Sequence, residues 1–514
     1  MKPIRLMAGF FTVGVWTMAS RILGFARDIL IVGYLGSGPV AQAFFIAFSL
    51  PNMFRRFFAE GAFNMAFVPM FSKKLEADED PKGFARDAFS GLATVLIVFS
   101  IMAILAMPWL VVAMASGFLA DERFDLAVVF GRIAFPYILF ISLAALLSGL
   151  LNATGRFAAA AAAPVLLNIL FVLAVFLGVQ FGWPLGLTLA WTVPVAGFVQ
   201  LALVWIAAAR IGFPLWPSRP KLTPDLKRLA IIAAPAALAG GVLQVNLLVG
   251  RQVASFFDGA IVWLYTADRL YQLPLGVVGI AIGIVLLPDL SRRLRAGDTD
   301  GGRDAFNRAA EISLALTVPA AVALCVIPVP LIHVLFQRGA FDGNDTLATA
   351  AAVAVYGLGL PAFVLQKVLQ PLYFAREDTT SPFRFALVAM VVNAVLAIGL
   401  IYLAGFLAAA IGATVAAWAM VALLWRGSRH MGEAAAIDDR LKLRTGRIML
   451  AATFMGLSLY TASLWLAPWL YSAVWRYPAL IVLITLGIFI YFFAAHHLGA
   501  LRLPEIRRTL RRQR

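Results

Sequence analysis

The sequence predicts an all-α polytopic membrane protein with fourteen transmembrane helices: two six-helix lobes in parallel repeat, followed by two C-terminal helices. Three observations predict it. Of 514 residues, 62% are apolar and only 13% charged, more apolar side chain than a soluble domain of this size buries. Apolar runs of about 20 residues, the length that crosses a bilayer, recur between clusters of Gly, Pro and charge. Segments of the first half reappear in the second at a nearly constant offset.

The spans of the first lobe are residues 6–33, 40–70, 88–116, 127–151, 160–181 and 184–208. The first two read through internal charges, because the apolar pattern resumes beyond Arg21 and beyond Arg55 and Arg56. The third follows the acidic stretch Glu76 to Asp80, which reads as solvated. The second lobe has spans at 229–250, 260–288, 309–336, 346–373, 384–404 and 407–426, and the last two helices are 448–468 and 478–498. GDTDGGRD, residues 297–304, reads as a loop, and RRTLRRQR as a solvated basic tail. A cleaved signal peptide is rejected, since the apolar stretch after Lys2 and Arg5 continues past Arg21.

Lys and Arg collect on the cytoplasmic side of short loops, which checks these spans independently. Of 42 such residues, 31 fall on one side. Only Arg123, Arg132, Arg251, Arg338 and Arg476 fall on the other, and Arg21, Arg27, Arg55, Arg56, Arg269 and Lys367 lie within spans or at their edges. The bias places both termini in the cytoplasm and requires an even number of crossings. It also turns the net charge of +16 into topology and attraction to lipid headgroups rather than a sign of nucleic acid.

Phe67 to Leu75 (FVPMFSKKL) matches Leu286 to Leu294 (LLPDLSRRL) at an offset of 219; Ala153 and Ala375 are 222 apart, and Asn168 and Asn393 are 225 apart. Six crossings separate the copies, so they share an orientation, as in transporters with parallel repeats. The implied domains are residues 1–215, 216–430 and 431–514.

A charge in the hydrocarbon costs about 2.5 to 3.5 kcal/mol on insertion scales, so it normally faces a partner or a wet cavity. Arg21 and Asp28 are seven residues apart on one helical face, with Arg27 beside them. Arg56 and Glu60 sit at i and i+4 and can pair; Asp268 and Arg269 lie between aromatic and apolar turns. Five arginines against three acids leave a surplus of positive charge. Guanidinium groups bind phosphate through paired hydrogen bonds, so Arg27, Arg55 and Arg269 point to an anionic substrate. Lys367, near Gln366 and Gln370, either lines the same cavity or snorkels to the interface.

Enzyme chemistry and ATP-driven pumping are disfavoured. Cys325 is the only cysteine and reads as a small core residue, which excludes a disulfide framework and a thiolate metal site. His333, His430, His496 and His497 lie near helix ends and read as interfacial packing. No phosphate loop, nucleophile elbow, metalloprotease motif or dinucleotide fingerprint occurs. No metal or cofactor is therefore expected, and no catalytic residue.

TMASRILGFARD, AFFIAFSLPNMFRRFFAEGAFNMAFVPMF and ADRLYQLPLGVVGIAIGIVLLPDLS closely resemble the MurJ/MviN-type lipid II flippases, of the multidrug/oligosaccharidyl-lipid/polysaccharide exporter superfamily. The likeness continues through FPYILFISLAALLSGLLNATGRF, LFQRGAFD and VLQPLYFAREDTTSP. The resemblance implies a bacterial inner-membrane carrier that moves undecaprenyl-pyrophosphate-linked disaccharide-pentapeptide from the inner to the outer leaflet by alternating access. It implies that Arg21, Arg27, Arg55 and Arg269 bind the substrate with Asp28 and Glu60 as accompanying acids, and that the last two helices form a groove for the lipid tail. Gln42 and Gln272 stand where some relatives carry Asp and Glu, which makes the cavity more cationic and leaves ion or proton coupling at those positions open. The alternative is an exporter of another lipid-linked glycan. The expected partners are lipid II and membrane lipids, without nucleic acid; membrane potential or a monovalent ion is expected to couple transport, and a monomer to be functional.

Overall fold

The computed structural model describes residues 6–55, 62–219 and 221–501; Arg56, Glu60 and the basic tail from Arg502 lie outside them. Within the described residues the chain is helical, and its only β-type pairing is an isolated bridge between Arg338 and Phe341. The first half runs α1 Leu6–Leu35, α2 Pro39–Arg55, α3 Ala62–Ala77, α4 Pro81–Leu105, α5 Met107–Ala115, α6 Glu122–Ala134, α7 Tyr137–Ala153, α8 Ala158–Phe181, α9 Leu185–Arg210 and α10 Pro224–Ser255. The second half runs α11 Ala260–Arg295, α12 Thr299–Val326, α13 Pro328–Phe336, α14 Gly343–Phe374, α15 Thr380–Gly399, α16 Ile401–Ala404, α17 Leu407–Ser428, α18 Asp439–Trp465, α19 Ala467–Leu470 and α20 Arg476–His497.

Apart from 40–70, which passes through residues outside the described ones, each segment predicted to span falls on one helix or on a broken pair. The breaks before α5, α7 and α13 follow proline, which lacks the N–H that continues a helix and is tolerated in the first turn. Pro108 opens α5, Pro136 separates α6 from α7, and Pro328 opens α13. Among the described residues, ten stretches are long and apolar enough to cross a membrane. The reading of residues 297–304 as a loop is corrected: α12 begins at Thr299, because Asp298 accepts from the Gly301 amide at 2.8 Å and caps the helix, while Asp300 complements its N-terminal dipole.

The chain forms two compact units, one of residues 1–262 with Arg338–Phe341, the other of Trp263–Gln337 with residues 342–514. In the first, α8 packs between α1 and α9, α9 against α7, α2 against α6, and α10 against α3 and α5. Its short segment Arg338–Phe341 docks on the end of α1. There the Ala340 amide donates to the Gly33 carbonyl at 2.8 Å. Gly36 has φ 65°, and a Cβ on it would lie 2.5 Å from the Ala340 carbonyl oxygen, so glycine is required on both grounds.

In the second unit α14 packs against α12 and α17, α15 against α17, and α18 against α12 and α20. Its core gathers Phe306, Val364, Val368, Leu372, Tyr373 and Leu424. The start of α18 is tied down by charge: buried Glu311 on α12 is gripped by Arg308 and Arg444, and Asn307 Oδ1 accepts the Asp438 amide at 3.0 Å. On α15, Val388, Val391, Val395 and Ile398 are 48%, 57%, 63% and 62% exposed. Such a stripe at helical spacing would be costly in water and is at home in lipid.

Candidate functional site

Arg27 on α1 is 6% exposed and Asp28 3%. The Arg27 guanidinium donates to Asp28 Oδ1 from Nε at 3.0 Å and from Nη2 at 2.7 Å, and to Asn168 Oδ1 on α8 from Nη1 at 3.0 Å. The Phe48 and Phe171 rings flank it at 5.9 and 5.5 Å, so the cation also meets aromatic faces. Asn168 in turn donates to the Ser20 carbonyl at 2.9 Å. A guanidinium has five N–H donors, and three are taken here. Arg21, two turns earlier, is exposed, and Arg55 is half-buried as the last residue of α2.

The second unit holds a different cluster. Tyr265, Asp268, Arg269 and Gln272 recur at i, i+3, i+4 and i+7, one face of α11, and the first three are half-buried while Gln272 is exposed. Arg269 Nη2 donates to the Tyr265 hydroxyl at 2.7 Å and its guanidinium lies 4.7 Å from that ring. Gln272 donates to the Asp268 carboxylate. Lys367, on α14, is exposed.

Gln42 has a structural task. It is 1% exposed, donates to the Ser37 carbonyl at 3.1 Å and accepts from Arg123 Nη1 at 3.0 Å. Arg123 also bonds Asp121, the N-cap of α6, and Asp258. Arg123 beside it, chiefly through its side-chain hydrogen bonds, holds the Asp121 carboxyl below the usual carboxylate range. The sequence reading missed Asn168, Tyr265 and Arg123 as partners. Asn168 had a signal, its match to Asn393 across the repeat.

A groove of about 440 Å³ between α12 and α18 is lined by Val322, Cys325, Val326, Thr453, Gly456, Leu457 and Tyr460. Cys325 is half-buried and donates to the Ala354 carbonyl at 3.3 Å. Among the described residues no cluster of His, Cys, Asp or Glu is placed to hold a metal ion.

Long apolar helices with exposed apolar stripes mark a multi-span membrane protein. The profile of the lipid II flippase MurJ family matches residues 31–480. The probable lipid II flippases MurJ of Rhizobium tropici and Rhizobium meliloti (strain 1021) are 43% and 44% identical, each over 99% of this chain and over 97% and 96% of their own lengths. A solved lipid II flippase MurJ in its inward closed conformation is 25% identical and superposes with TM-score 0.79, covering 94% of this chain and 98% of that one. An inward-facing multidrug MATE transporter of the MOP superfamily shares the fold, with TM-score 0.64 at 14% identity, over 82% of this chain and 98% of its own. The chain belongs to the MurJ lipid II flippase family, a family of transporters rather than enzymes.

Proposed function

We propose that the chain carries lipid II, the undecaprenyl-pyrophosphate-linked peptidoglycan precursor, from the inner to the outer leaflet of the bacterial inner membrane during cell-wall synthesis. Arg21, Arg55 and Arg269 take the pyrophosphate during the transport cycle. Arg27 and Asp28, joined to Asn168, brace the first helix, and Glu60 is an accompanying acid. The polyprenyl chain runs in the apolar groove beside α18, so that only the headgroup leaves lipid.

The observation that carries this reading is Arg269, half-buried on a polar face of α11, a helix this reading takes to span the membrane. A cation held there needs a wet or charged environment, and phosphate oxygens match its planar donors. Fourteen crossings with both termini in the cytoplasm, repeat lobes at 1–215 and 216–430, and a C-terminal pair within 431–514 complete the architecture. Rocking of the lobes then exposes the headgroup alternately. The surplus positive charge lets the membrane potential return the empty site inward, worth about 2.3 kcal/mol per charge per 100 mV. A monomer suffices for every step.

Complementation of a flippase-depleted bacterium tests this, with outer-leaflet lipid II as the readout. The wild type restores it; Arg55→Ala and Arg269→Ala, at equal membrane levels, do not. Wild-type protein that reaches the membrane yet restores no outer-leaflet lipid II transfers the case to export of another lipid-linked glycan.

A further inference from the structure

Arg269 is gripped by a side chain that has no charge of its own. Its Nη2 donates to the Tyr265 hydroxyl at 2.7 Å, and its guanidinium carbon lies 4.7 Å from the centre of the same ring. The two residues stand at i and i+4 on α11, where side chains on one helical face meet, and both are half-buried. The grip has two parts. The hydrogen bond fixes the direction of one guanidinium nitrogen, and the ring beneath holds the cation over its face. Arg27 is fixed by other means, since Asp28 Oδ1 accepts from both its Nε and its Nη2.

A carboxylate that orients a guanidinium also cancels its charge, whereas a phenol, neutral at physiological pH, orients it and cancels nothing. Orientation matters to an anion. A long arginine side chain has many rotamers, and a ligand that binds it must freeze them unless the protein has already done so. We infer that Tyr265 is a positioning residue for the anion: it holds the Arg269 guanidinium in one orientation, without neutralising it, ahead of the pyrophosphate. This rests on the transport reading above, in which Arg269 takes the pyrophosphate, and adds to it the residue that prepares that arginine.

The test compares the affinity of the purified full-length protein for undecaprenyl pyrophosphate and for undecaprenol, which has the same chain and no phosphate. Tyr265→Phe, which keeps the ring and loses the hydroxyl, is expected to weaken undecaprenyl pyrophosphate about threefold, and Tyr265→Leu, which loses both, about tenfold, the range that one immobilised side chain commands. Neither changes undecaprenol. In an Arg269→Ala background the same two substitutions have no further effect, because Tyr265 acts through Arg269. Tyr265→Phe carries the test by itself should the leucine variant fail to accumulate. Wild-type affinity for undecaprenyl pyrophosphate in the Tyr265 variants overturns the inference alone, as does an equal loss for undecaprenol or an undiminished effect in the Arg269→Ala background. A wild-type protein that does not bind undecaprenyl pyrophosphate, or an Arg269→Ala protein that binds it as tightly as wild type, overturns the role given to Arg269 and the inference with it.

Discussion

Arg27 in the first unit and Arg269 in the second are both arginines within long, largely apolar helices, and the protein treats them oppositely. Arg27 is sealed, with a carboxylate, an amide and two aromatic rings around it. Arg269 keeps part of its surface accessible, on a face shared with Tyr265, Asp268 and Gln272. A sealed ion pair holds helices together and is costly to break, because removing one partner strands the other. A half-open cation is cheap to remove for folding, and on the transport reading its loss falls on function. Position within the membrane therefore does not decide what a charge is for; the company it keeps does.

The largest expected effect separates the two directly. Arg27→Ala takes from buried Asp28 the guanidinium that bonds it twice and should cost about 3 to 5 kcal/mol of stability, seen as a lower melting temperature in detergent and lower membrane levels. Arg269→Ala should melt within about 1 kcal/mol of wild type yet fail to deliver outer-leaflet lipid II. Equal melting losses would erase the distinction. Next, Arg27→Met combined with Asp28→Leu should recover most of the stability that Arg27→Ala loses, because neither charge is then stranded. If the double variant melts as low as the single one, the pair is not the reason for the loss.

Asn168→Ala removes an acceptor from Arg27 and a donor from the Ser20 carbonyl, at about 1 to 3 kcal/mol. Thermal melts of that variant should place it between wild type and Arg27→Ala. The smallest effect lies at Asp121, whose carboxyl Arg123 holds below its usual range. Its contribution is present above the unfolded value near 4 and is lost as pH falls through the still lower folded one. The carboxylate is partly exposed, so the contribution is under about 1 kcal/mol. The melting difference between wild type and Asp121→Asn should stay constant from pH 7 to 5 and close below about pH 4.

Hydropathy made the helical segments legible, because apolar length is a local property. Charge inside the spans was legible for the same reason: Arg27, Asp28, Asp268 and Arg269 stand out against their neighbours. What each charge meets was not. Arg27 depends on Asn168, 141 residues away, and no periodicity reports such a distance. Gln42 looked like a lost cavity acid, whereas its partner is Arg123, 81 residues on. The loop reading of GDTDGGRD failed because glycine content outweighed Asp298, whose capping carboxylate starts α12 within that stretch.

The docking of Arg338–Phe341 on the end of α1 has a consequence for how the protein is made. Both flanks of that segment belong to the second unit, yet the segment completes the first. Roughly 300 residues of chain separate Gly33 from Ala340, and translation at about 5 to 20 residues per second puts some fifteen seconds to a minute between their syntheses. During that interval the Gly33 carbonyl has no Ala340 amide to accept from. The first unit is therefore complete in its contacts only once residue 341 has been made. It waits, part-built, for a piece carried by the other half, and a chain that stops before residue 338 never supplies it.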